Sequence, residues 1–184
     1  VTLATGRLIG GTLPSARVLD LTLPMVCGDG ATVACSRDGR VLHGHELSTK
    51  EIRGLLGVMR EHLLVPFILL HDVVHCDRRG EPLSAYLRAW STSIHIHESF
   101  EGTFPEGAIM VMGLGRPEQA DGANDVLQRQ IPAVVTQRFA FGDIGVVRSF
   151  GGACTKAAGL AYVSAQLGLR ADEVAVVGDW YNDL

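Results

Sequence analysis

Three short stretches of this chain carry side chains suited to one kind of chemistry. Leu3-Ala4-Thr5-Gly6-Arg7 sets a hydroxyl, a glycine and a guanidinium at the end of an apolar run. Lys156 opens a helical stretch. Val174-Ala175-Val176-Val177-Gly178-Asp179 ends a second apolar run in an acid, and Asn182 and Asp183 follow in Gly178-Asp179-Trp180-Tyr181-Asn182-Asp183. Carboxylates beside a phosphate suit magnesium, a hard cation that takes oxygen ligands. A lysine and a hydroxyl suit phosphoryl oxygens. Open parallel sheets bind ligands outside the carboxyl ends of their strands, so two polar clusters at two strand ends converge if the strands are neighbours.

Each stretch alone has an ordinary explanation. Thr-Gly after a strand makes a turn, a helical lysine faces solvent, and Gly-Asp-x-x-Asn-Asp can be a helix N-cap. The acid is the most informative, because a carboxylate at the end of a buried strand is costly without a partner.

The elements that must position these residues follow from periodicity and punctuation. Val1 to Ala4 reads as a strand, Thr5 to Arg7 as a turn, and Leu8 to Leu19 as a helix weakened by Gly10, Gly11 and Pro14. Leu23 to Cys27 reads as a buried strand ending in Gly28-Asp29-Gly30, a loop permissive for positive φ. Thr32 to Cys35 and Arg40 to His43 form a hairpin around Asp38-Gly39. Ser48 and Glu51 have capping-box spacing ahead of a helix to about His62, with Ile52, Leu55, Leu56 and Met59 on one face. At the other end, Thr155 to Leu167 reads as a helix stopped by Gly168, and Glu173 to Val177 as a buried strand.

The middle has a different texture. Pro66 to Val74 is expected to be one strand leading into a turn at Cys76 to Gly80, with Pro82 to Trp90 helical. Ala108 to Gly113 is a strand, Pro117 to Gln130 a helix, and Ala133 to Thr136, Phe139 to Phe141 and Ile144 to Arg148 are short strands. The whole therefore predicts an α/β fold: a Rossmann-like parallel-sheet core over 1–31 and 151–184, with an α+β cap inserted over 32–150.

Composition sets bounds on partners. With 47% hydrophobic and 20% charged residues among 184, the chain can build a buried core and is not expected to be disordered. Its net charge of -4, without a basic stripe, argues against a nucleic-acid partner. No apolar run reaches the roughly 20 residues of a membrane helix, and the chain opens without a signal peptide, so a cytoplasmic setting is expected. Cys27, Cys35, Cys76 and Cys154 are scattered without a CxxC pair, which predicts reduced thiols and neither a zinc site nor a disulfide framework.

Taken together, the three stretches resemble the haloacid dehalogenase superfamily, in its Cof-type branch with a large cap. Leu3 to Arg7 is similar to that branch's second motif, Lys156 with Ala157-Ala158-Gly159-Leu160 to the third, and Gly178 to Asp183 to the fourth. Cys27-Gly28-Asp29-Gly30-Ala31 resembles the family's Ser-Asn-Gly-Ala stretch. The resemblance implies a magnesium-dependent phosphatase of small phosphorylated metabolites, acting through an aspartyl-phosphate. By position, Thr5 would hydrogen-bond the phosphoryl group and Lys156 would balance its charge. Gly6, Arg7, Asp29 and Asn182 would line the substrate site. Asp179 would hold magnesium, with Asp183 orienting its neighbours.

Departures accompany the resemblance. The family's first motif, Asp-x-Asp-Gly-Thr, which carries the nucleophile, is absent from these 184 residues, so the chain is expected to be a truncated piece and inactive alone. Asp29 stands where the family has Asn, adding negative charge near a phosphate site, and Ala157 replaces a Gly. A non-catalytic binding protein and a phosphosugar mutase are the alternatives. His71 with His75, and His95 with His97, have spacings that invite a metal, but a surface face or a cap wall is the expected role.

Overall fold

The computed structural model describes residues 1–178. In chain order, α1 (Ile9–Val18) leads to β1 (Met25–Cys27), a tight turn over Gly28–Gly30, and the hairpin β2 (Thr32–Ala34) and β3 (Val41–Gly44). α2 (Thr49–Glu61) precedes β4 (Val65–Leu69), β5 (Val73–Asp77), a 3-10 segment over Arg78–Leu83, the single turn α3 (Ser84–Leu87) and β6 (Ser93–His97). β7 (Met110–Gly115), α4 (Pro117–Gln130), β8 (Val134–Phe141), β9 (Ile144–Gly151) and α5 (Lys156–Gln166) complete the order before a last 3-10 turn at Ala171–Glu173.

Two sheets result. The smaller has order β1-β2-β3, all antiparallel, and a parallel bridge from Ala4 to Val26 adds the N-terminal run beside β1. The larger has order β6-β5-β4-β7-β9-β8 and is antiparallel except for the parallel pair β5 and β6. The chain is thus α/β, as expected. The hairpin β2–β3 falls within the expected 32–150 insert, but β2 pairs with β1 in the smaller sheet.

Periodicity explains how the larger sheet is covered. Ile52, Leu55, Leu56 and Met59 of α2 are buried, as are Ala120, Ala123 and Leu127 of α4, each set at helical spacing. Both helices pack with Ile68, Val111 and Val147 on one face of the sheet. The other face presents Phe67, Leu69, Met110, Met112, Val146 and Phe150, and gathers Leu8, Ala31 and Cys154 from the two ends of the chain. Side chains alternate along a strand, so Arg148 shares this second face with Val146 and Phe150.

Several elements differ from expectation. Pro66 to Val74 is not one strand: the chain folds back after Leu69, where the Leu70 N–H donates to the Val73 carbonyl, and β4 pairs with β5. The apolar run is interrupted only by His71-Asp72, and both are used by α1: Ile9 N–H donates to the His71 carbonyl at 3.2 Å and Gly10 N–H to the Asp72 carboxylate. The helix expected over Pro82 to Trp90 shrinks to α3 and the 3-10 segment before it. The two short strands around Thr136 and Phe139 are one, because β8 runs in unbroken register with β9. Glu173 to Val177 is not a strand, and Val177 is 99% exposed. Val1 to Ala4 contributes only the single bridge at Ala4.

Candidate active site

Two loops interlock where the N-terminal run meets β1. Val26 N–H donates to the Leu3 carbonyl at 2.8 Å and Thr5 N–H to the Val26 carbonyl at 2.9 Å. Beyond the bridge the loops stay laced: Asp29 N–H reaches the Thr5 carbonyl at 3.0 Å and Gly28 N–H the Arg7 carbonyl at 2.9 Å. Arg7 N–H donates to Thr5 Oγ1 at 3.2 Å, which fixes the hydroxyl, while Arg7 itself is exposed. Asp29 adopts the left-handed conformation, with φ 54° and ψ 29°. Only a few residue types other than Gly tolerate it, Asp among them.

Lys156 arrives from the far end of the chain. Thr155 caps α5, its hydroxyl accepting from the Ala158 N–H at 3.0 Å, and Lys156 is the first helical residue. Its Nζ lies 3.9 Å from Asp29 Oδ1. Gly30 permits this approach: φ is +101°, and a Cβ there would stand 2.0 Å from the Thr155 carbonyl oxygen.

A fourth member was not foreseen. Arg148 Nη1 lies 2.7 Å from Asp29 Oδ2, and the side chains are 8% and 3% exposed. Its Nε and Nη2 both donate to Gln137 Oε1, at 2.9 and 2.6 Å, and the guanidinium lies over the rings of Trp90 and Phe139. Burial lowers the Arg148 pKa from its ordinary value, opposed by the charges of Asp29 and Tyr86. Burial likewise raises Tyr86, with Arg148 pulling the other way. The sequence does hold a signal for this residue: Arg148 is the one charge within the apolar run Ile144 to Phe150. A buried charge requires a partner.

The structure therefore brings Thr5, Gly6, Asp29 and Lys156 to one place, with the Arg7 backbone beside them. Asp179, Asn182 and Asp183 lie outside the described residues. Among the described residues no group of three His, Cys, Asp or Glu could hold a metal ion. The histidines pair differently from their spacing: His71 Nδ1 is 2.7 Å from Thr32 Oγ1, and His75 Nδ1 is 2.7 Å from His97 Nε2. All four cysteines are free thiols, and burial pushes Cys27 and Cys76 up to about 11. No helix among the described residues is long and apolar enough to cross a membrane.

No curated protein matches the chain. Among solved structures, a haloacid dehalogenase-like hydrolase from Bacteroides thetaiotaomicron superposes with a TM-score of 0.82 at 17% identity, covering 100% of this chain and 70% of that one. A HAD/COF-like hydrolase from Plasmodium vivax gives 0.80 at 19% identity, covering 100% and 66%. The HAD subclass IIB sugar phosphatase BT4131 gives 0.72 at 15% identity, covering 94% and 64%. At these identities the likeness establishes the fold. The family model for haloacid dehalogenase-like hydrolases matches residues 1–184, the whole chain, and the chain belongs to that family.

Proposed function

We propose that this chain forms the phosphate-binding part of a magnesium-dependent phosphatase. Its substrates are small phosphorylated metabolites, sugar phosphates or nucleotides, and hydrolysis proceeds through an aspartyl-phosphate whose nucleophile lies outside these residues. The observation that carries this reading is the approach of Lys156 to the laced loops of Thr5 and Asp29. Family membership and the fold shared with a sugar phosphatase support it.

Thr5 Oγ1 accepts from the Arg7 amide, which leaves its own proton free to donate to a phosphoryl oxygen. Gly6, without a side chain, lets the backbone come close to the phosphate. Lys156 brings a positive charge at the start of α5, where the helix dipole also favours an anion. Asn182 is assigned to the phosphate, and Asp179 with Asp183 to the metal side of the site. Magnesium, when bound, would supply charge neutralisation beside that of Lys156. The larger sheet with α2, α3 and α4, which spans 49–151, is assigned as the cap that closes over the site and selects the substrate. Four free thiols favour a reducing, cytoplasmic setting, and no nucleic acid is expected as partner.

The test is turnover of several sugar phosphates and nucleotides by the intact protein, with magnesium and with a chelator. Hydrolysis that needs the metal and is nearly abolished by Asp179→Ala is the expected result. Hydrolysis that survives both chelation and the substitution would remove the assignment. Residues 1–184 expressed alone are expected to be inactive.

A further inference from the structure

We infer that Arg148 is a positioning residue of the phosphate site, cancelling the charge of Asp29 so that the loop ends admit a phosphate dianion. This rests on the site proposed above. Asp29 is nearly fully enclosed, so a carboxylate beside an expected dianion needs a physical reason. The structure supplies one in the 2.7 Å ion pair from Arg148. Lys156 also faces Asp29 but at 3.9 Å, and phosphate would compete for it.

Three features show that the pair is built in. Gln137 takes two of the guanidinium nitrogens, and the guanidinium also lies over the rings of Trp90 and Phe139. The pair lies against the phosphate loop itself: a Cβ on Gly6 would stand 2.9 Å from Asp29 Oδ2 and 3.1 Å from Arg148 Nη1. The two partners also come from different layers. Arg148 belongs to β9 of the larger sheet and Asp29 to the turn after β1 of the smaller one. The contribution of Arg148 to that cancellation requires the larger sheet to be seated, so seating and phosphate capture are coupled.

The experiment measures binding of inorganic phosphate to the intact protein by calorimetry, with thermal melting as the control for folding. Arg148→Gln is expected to raise the phosphate Kd by roughly 10-fold, the scale of one uncompensated charge near a partly buried site. In turnover, the same change should raise KM more than it lowers kcat. Adding Asp29→Asn to Arg148→Gln should return Kd to within about 3-fold of the parent, because the charge needing cancellation is gone. A double variant as impaired as Arg148→Gln would overturn the inference and leave Arg148 a packing or direct phosphate ligand. Unchanged binding in Arg148→Gln would overturn it too. If Arg148→Gln does not fold, Asp29→Asn alone decides: phosphate should bind at least as tightly as to the parent, and weaker binding refutes the charge argument. A parent that binds no phosphate would sink the site itself, and this inference with it; a parent that binds while all variants match it sinks the inference alone.

Discussion

Gly30 and Thr155 are in direct backbone contact: a Cβ on Gly30 would stand 2.0 Å from the Thr155 carbonyl oxygen. This contact seats the turn bearing Asp29 against the N-cap of the helix bearing Lys156. Gly30→Ala must therefore separate the two and also hold alanine at a φ of +101°. A loss of at least about 2 kcal/mol in stability is expected. Phosphate binding should weaken in parallel. Gly57→Ala is the counterpart within α2, where nothing lies within 4 Å, and it should stabilise by about 0.5–1 kcal/mol. Denaturant melts of both variants check the pair; equal effects would show that the Gly30 contact is not tight.

Thr5→Val keeps the shape of the side chain and removes its hydroxyl. The hydroxyl's fixed partner is the Arg7 amide in an exposed turn, so stability should change little. Loss of one oriented donor to the transferring group should lower kcat by about 100-fold. Steady-state kinetics on a phosphate ester, with melting as control, tests this; a loss in stability that accounts for the lost rate would assign Thr5 a structural role.

His75 sets an acid limit on stability. Burial, with His97 and His95 nearby, pushes it from an ordinary 6.5 down to about 4. The unfolded chain thus takes up this proton at higher pH than the folded chain. The stability associated with neutral His75 is complete above about pH 6.5 and is lost as pH falls toward about 4. Denaturant melts across that window should show declining stability, with a shallower slope in His75→Gln. An unaltered slope would place the acid sensitivity in other groups.

Ser48 and Glu51 close the start of α2 reciprocally. The Ser48 hydroxyl accepts from the Glu51 N–H at 3.3 Å, and the Ser48 N–H donates to the Glu51 carboxylate at 2.7 Å. Ser48→Ala should cost about 1 kcal/mol and Ser48→Gly less. Melting temperatures of the two variants give the order; a more harmful Gly would mean that helix entropy outweighs the cap.

The parts of this protein legible in the sequence are those decided by near neighbours. The capping box of α2 and its apolar face, the Asp38-Gly39 hairpin, the Thr155 start and Gly168 stop of α5, and the left-handed turn at Gly28–Gly30 all arise within a few residues of their signals. So do Thr5 and Lys156 as candidates, since each sits at an element's edge. The fold of Leu69 onto Val73 was hidden because buried strands on both sides of a short turn read as one apolar run. The division of β2–β3 from the larger sheet was hidden because hydrogen-bond partners are not written locally. Arg148 shows the limit most clearly. Alternation along β9 assigns its side chain to a face, but burial of that charge is tolerable only because Asp29, Gln137, Trp90 and Phe139 arrive from other elements. The sequence by itself singled out the residues proposed to bind a phosphate. Only the tertiary structure decided how the charge on Asp29 is balanced, because that balance is an electrostatic contact between two sheets that no local pattern encodes.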